Sequence, residues 1–170
     1  MDWSAIFAGV ASLIAIIGLF ISVQQYKVNL RQYQDTVKQN QETMRREFLL
    51  QALEKLSLPY QREGRKFIFH LRDNPEEKEE FRKGIISDKV IYSDEYSNIR
   101  AVFTLFHEIG YFALELKGIT INDARALFPQ VDEIWDITRS LVYAIRERQN
   151  QSKSFLYFEK LAENLREPKA

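Results

Sequence analysis

At 170 residues, with 45% hydrophobic and 13% aromatic content, the chain holds enough apolar material for one membrane segment plus one domain of about 120 residues. Its 24 basic and 24 acidic residues cancel, which argues against a general nucleic-acid binder, since such proteins carry a basic face. Cysteine is absent, which removes disulfides and agrees with a reducing compartment.

The first element is an apolar run over residues 3–23, between Asp2 and the first later charge, Lys27. About 21 residues at roughly 1.5 Å each make a helix near 32 Å, which matches a hydrocarbon core of roughly 30 Å. A cleaved signal peptide needs a positive start, a shorter apolar stretch and a small-residue exit. Met1-Asp2 and Val23-Gln24-Gln25 supply neither end, so a retained anchor over residues 1–25 is expected. Lys27, Arg31 and Lys38 lie just beyond the run, and a basic flank faces the cytoplasm. The expected topology is a single-pass protein of the bacterial inner (cell) membrane, with its amino terminus outside and residues 24–170 in the cytoplasm. Trp3 and Tyr26 suit the two interfacial belts.

Residues 24–57 contain no proline or glycine and are mostly good helix formers, so the helix is predicted to continue as a stalk over residues 26–57. Leu58-Pro59 is the first break. Ser4, Ala8, Ala11, Ala15, Gly18 and Ser22 recur at spacings of three and four, and Tyr26, Leu30, Tyr33 and Val37 continue the stripe. The mean step is roughly 3.67 residues, close to the helical repeat. Small residues permit close backbone approach in lipid, so this face is a candidate for homo-oligomerisation through span and stalk. Asn40 and Met44 extend it, and a polar residue in such a seam can set register.

Residues 58–170 read as a helical domain. Phe48, Leu49, Ala52, Leu53 and Leu56 make one apolar face leading into it, and Phe67, Ile68 and Leu71 a second. Asp73-Asn74-Pro75 ends that helix, and the acidic residues 76–80 fit a solvated segment. Residues 85–92 offer a short extended piece. Ser93 is a predicted cap for a helix with Asp94 and Glu95 in its first turn. Its stripe of Ile99, Val102, Phe103, Phe106, Ile109, Ala113 and Leu116 ends at Gly118, expected as the terminator. Thr120 and Asp123 form a capping box for a short helix to Phe128. Pro129 suits the first turn of the next helix, with Val131, Ile134, Trp135, Thr138, Leu141, Val142 and Ile145 on one face. Phe155, Phe158, Leu161, Ala162 and Leu165 mark a last helix after Ser154. The fold class is therefore all-α: one N-terminal transmembrane helix, a stalk, then a cytoplasmic helical bundle.

Phe106-His107-Glu108-Ile109-Gly110, Lys117-Gly118-Ile119, Trp135, Arg146 and Phe158-Glu159-Lys160-Leu161 together resemble a bacterial family of small, single-span membrane proteins with a helical cytoplasmic domain of unknown function. The similarity covers most of residues 1–166. It implies a membrane-anchored helical domain, with Glu108, Trp135 and Arg146 as its characteristic positions, and supplies no catalytic residue.

Chemistry-bearing residues are few. His70 and His107 are the two histidines, and His107-Glu108 lacks the second histidine of a zincin motif. There is no glycine-rich phosphate loop and no G-x-S-x-G elbow. Arg65 with His70 matches the R-x4-H form, and Arg100 with His107 the R-x6-H form, of the pattern in HEPN ribonucleases. There a histidine moves the 2′-hydroxyl proton and the arginine stabilises the phosphate. Arg100 and His107 would share a helical face, whereas Arg65 and His70 would diverge. The residue after each arginine, usually polar in that pattern, is Lys66 in one match and apolar Ala101 in the other. Glu108 is expected to pair with Arg139 or Arg146 and lock two helices together, and Trp135 to fill core.

The reading that results is a membrane-anchored helical scaffold or adaptor with a cytoplasmic protein-interaction domain. It has no catalytic, cofactor or metal residues, contacts the bilayer through residues 3–23, self-associates through span and stalk, and serves an unidentified protein partner. A membrane-tethered HEPN-like ribonuclease effector is the alternative.

Overall fold

The computed structural model describes the backbone of residues 3–166 and the side chains of residues 17–166. Among the described residues seven helices run in chain order: α1 (Trp3–Ser57), α2 (Pro59–Asp73), α3 (Pro75–Ile86), α4 (Asp94–Leu114), α5 (Ile121–Leu127), α6 (Val131–Gln149) and α7 (Leu156–Arg166). The same residues contain no strand, so the all-α expectation holds. Two compact units are present, Met1–Met44 and Arg45–Ala170.

The first unit is helix α1 alone. It continues without interruption from the apolar run into the polar stretch, as the absence of proline and glycine over residues 24–57 allows. Leu19, Phe20, Tyr26 and Tyr33 are each exposed by more than 60%. Among the described residues no helix is long and apolar enough to cross a membrane. Of the apolar run at residues 3–23, the residues with described side chains are 17–23. Ser4, Ala8, Ala11 and Ala15 of the small-residue stripe have side chains outside the described residues.

In the second unit the remaining turns of α1 lead into a bundle centred on α4, which packs chiefly against α7 and α2, while α6 packs against α3 and α7. Leu58 is extended (ψ 144°) because the ring of Pro59 excludes the α region before it, and Pro59 then occupies the first turn of α2. Asn74 both ends α2 and precedes Pro75 of α3, and its side-chain amide donates to the His70 carbonyl at 2.8 Å. The predicted caps form: the Tyr96 amide donates to Ser93 Oγ at 3.2 Å, and Thr120 and Asp123 exchange both bonds of a capping box. Asn150, with positive φ, closes α6 in a Schellman motif, its own amide reaching the Glu147 carbonyl and that of Gln151 the Arg146 carbonyl.

The apolar stripes become core. Ile99, Val102, Phe103, Phe106, Ile109 and Ala113 of α4, all seven predicted positions of α6, and Phe158, Leu161 and Ala162 of α7 are buried. Gly110 sets how closely α4 and α7 approach, since a Cβ there would run into the Tyr157 carbonyl.

Three boundaries differ from the sequence expectation. Residues 85–92 are not extended. Ile85 and Ile86 complete α3, and the amides of Lys89 and Val90 then turn back to the Gly84 carbonyl. The left-handed Asp88 in that turn is held by Arg148 of α6. Helix α4 ends at Leu114 rather than at Gly118. Lys117 takes the positive φ, the Gly118 amide returns to the Phe112 carbonyl at 3.0 Å, and Leu116 swings out to 56% exposure. Pro129 lies before the Gln130 cap and outside α6, with the Val131 amide bonded back to Phe128.

Candidate functional site

The two arginine–histidine matches resolve into separate environments. His70 lies at the end of α2, its Nε2 2.8 Å from Glu77 and its Nδ1 3.2 Å from the Asn74 amide nitrogen, which fixes Nε2 as the protonated nitrogen. It borders a groove with Glu63, Asp94 and Glu95. Arg65 instead sends Nη2 to the Leu56 carbonyl at 3.0 Å and lines a different cleft. Arg100 stands over the Tyr96 ring, exposed, whereas His107 accepts the Tyr157 amide on Nδ1 at 3.2 Å and packs edge-on against Tyr157 and Phe155. Each histidine is thus engaged with groups other than its paired arginine. Burial holds the His107 pKa below the usual imidazole range, against an opposing pull from Glu108. Among the described residues no three carboxylate or imidazole groups are placed to hold a metal ion.

The expected pairing of Glu108 with Arg139 or Arg146 is corrected. Glu108 is bound by Lys55 of α1 at 2.7 Å, with both side chains more than 40% exposed. Arg139 is exposed on α6 near Lys78, where its charge adds to burial in lowering the Lys78 pKa. Arg146 belongs to a tighter cluster. Its Nη2 meets Glu159 of α7 at 2.8 Å, its Nε donates to the Ser154 carbonyl at 2.8 Å, and Tyr143 Oη donates to the second Glu159 oxygen at 2.9 Å. The Arg146 and Glu159 side chains are only 12% and 19% exposed, and the Glu159 bond raises the Tyr143 pKa. Trp135 lies beside this cluster, 4% exposed and edge-on to Phe158 and Tyr143. The cluster fastens α6 to α7. Trp135 and Arg146 both border Tyr143 here, whereas Glu108 of α4 pairs with Lys55.

The helical unit also contains an open cleft of about 370 Å³ between the end of α1, α2, α4 and the α5–α6 connection. Its walls are Leu53, Leu56, Phe106, Leu127, Phe128, Pro129 and Ile134, and its polar lining is Ser57, Gln130 and Arg65. Arg65 Nη1 is buried and finds no acceptor among the described residues. Desolvation, with a smaller contribution from Arg62, lowers the Arg65 pKa. Sequence reasoning placed Arg65 in a ribonuclease motif and missed this setting. The signal was present, because Gln61, Gly64, Arg65 and Ile68 follow the helical spacing of the buried face of α2.

Comparison with protein-family models, with curated proteins and with solved structures finds no match to this chain.

Proposed function

We propose that the chain is a membrane-anchored helical adaptor with a cytoplasmic protein-interaction domain and no reaction of its own. The course of α1 carries this reading. One unbroken helix starts in the apolar run of residues 3–23 and ends in turns where Phe48 stacks on Phe112 at 3.8 Å and Ala52 is buried in the bundle core. The run has the length of a bilayer core, and Lys27, Arg31 and Lys38 favour a cytoplasmic position for residues 24–170.

Self-association is part of the proposal. A Cβ at Gly18 would meet nothing within 4 Å, and Tyr26 and Tyr33 stand outward at 67% and 68% exposure, so this stripe is open to a second copy. Close approach of small residues is the favourable term in lipid.

Fractionation tests the reading. Full-length protein should remain with membranes after an alkaline carbonate wash, residues 45–170 alone should be released, and a reporter fused after Ala170 should be active only where its chemistry works in the cytoplasm. Release of the full chain by carbonate, or activity of a periplasmic reporter, refutes the anchor.

A further inference from the structure

Lys78, near the start of α3, is the one lysine among the described residues that is not exposed. Its Nζ has no hydrogen-bond acceptor and no carboxylate partner among those residues, yet it stays open to solvent. Other lysines of the bundle are paired: Lys55 with Glu108, Lys66 with Glu63, and Lys83 with Glu79 at 4.0 Å. Lys78 instead lines an open groove of about 490 Å³ between α2, α3 and α6, whose apolar lining is Leu71, Pro75 and Ile137. The carboxylates of the groove do not reach it. Glu133 is held by Arg72 at 2.9 Å, Asp136 is held by Arg166, and Asp132 forms no ion pair among the described residues. Burial, with a smaller contribution from the positive charge of Arg139, lowers the Lys78 pKa.

A sheltered amine of this kind is a better nucleophile than an exposed lysine, because a larger fraction carries the free lone pair near neutral pH. The lining then narrows the electrophile. Arg72 is engaged by Asp73 and Glu133, so an anionic reagent finds no free cation in the groove besides Lys78 itself. An uncharged apolar body, by contrast, can lie against Leu71, Pro75 and Ile137. We propose that Lys78 is a covalent modification site for small apolar aldehydes, which it captures as an imine. The Nζ lone pair attacks the carbonyl carbon, the C=O π electrons move to oxygen, and a proton passes from nitrogen to oxygen to give a carbinolamine. Loss of that hydroxyl with the remaining N–H proton as water leaves a C=N bond. No oxidant or reductant is consumed, and each chain is modified once.

The test treats the full chain in phosphatidylcholine nanodiscs with hexanal, traps imines as secondary amines with cyanoborohydride, and maps the products by mass spectrometry. At low conversion near neutral pH, Lys78 should be alkylated at least about tenfold faster than exposed Lys89, the preference expected of a desolvated amine. As pH is lowered, the Lys78 rate should begin to fall at a lower pH than the Lys89 rate. Glyoxylate, a charged aldehyde, should show no such preference, and chain denatured in SDS should lose it with hexanal. Lys78→Arg should remove the fast product without creating another. Equal hexanal rates at Lys78 and Lys89, coincident pH profiles, an equal preference with glyoxylate, or a preference that survives SDS would each overturn the site. None of these outcomes bears on membrane anchoring, which the carbonate wash decides separately.

Discussion

His107 Nδ1 accepts the Tyr157 amide through a lone pair that protonation would remove, and the folded state lowers its pKa chiefly by burial. The unfolded chain therefore binds the proton more readily than the native one. Stability from this group is complete above the ordinary imidazole pKa of about 6.5 and is lost as pH falls through the lower folded value. Denaturant unfolding should accordingly show a larger drop in stability between neutral pH and pH 5 for the parent than for His107→Gln, which has no titratable ring. Equal drops would show that the acid sensitivity arises elsewhere. The other titratable contacts divide differently. Lys55–Glu108 is an exposed pair of the kind worth at most about 1 kcal/mol, whereas Arg146–Glu159 is sheltered and cross-braced by Tyr143 and the Ser154 carbonyl. Which carboxylate each arginine meets was not legible in the sequence, because Arg139 and Arg146 lie two turns apart on α6 and only packing decides which of them faces α7.

At the scale of elements, the contact of α4 with α7 rests on Gly110. A methyl group there would collide with the Tyr157 backbone carbonyl, which cannot move as a flexible side-chain tip can. Gly110→Ala should destabilise the helical unit by about 3 kcal/mol, the upper part of the usual overpacking range, despite the better helix propensity of alanine. Thermal unfolding of the variant measures this, and an unchanged or raised melting temperature would contradict the close approach. Local rules located most of the element starts. Ser93 and the Thr120–Asp123 box act through bonds within one turn, so their residue types suffice to place α4 and α5. Ends were less legible. Gly118 looked like the terminator of α4, yet Lys117 adopts the left-handed conformation, and the turn is closed by an amide bond back to Phe112.

For the whole molecule, substitutions on α4 and α6 test the proposed adaptor against a ribonuclease. Trp135 is enclosed by Phe158 and Tyr143, so Trp135→Ala should cost roughly 3 to 5 kcal/mol and be the severe change. Arg100→Ala and His107→Ala should have modest effects on melting, and purified parent protein incubated with total RNA should leave it intact. Cleavage by the parent that both folded polar variants lose would overturn the proposed adaptor reading. Periodicity alone determined that the chain is helical and which stripes face inward: the seven α6 positions spaced at helical intervals are all buried, because a helix returns the same face every 3.6 residues whatever it packs against. Tertiary structure decided what those stripes meet. It placed Arg65 against the Leu56 carbonyl rather than beside His70, gave Glu108 to Lys55 and Glu159 to Arg146, and curled residues 87–92 back on α3. Each of those outcomes depends on groups far apart in the chain, whose approach is set by the packing of several helices at once and leaves no signature within any single turn.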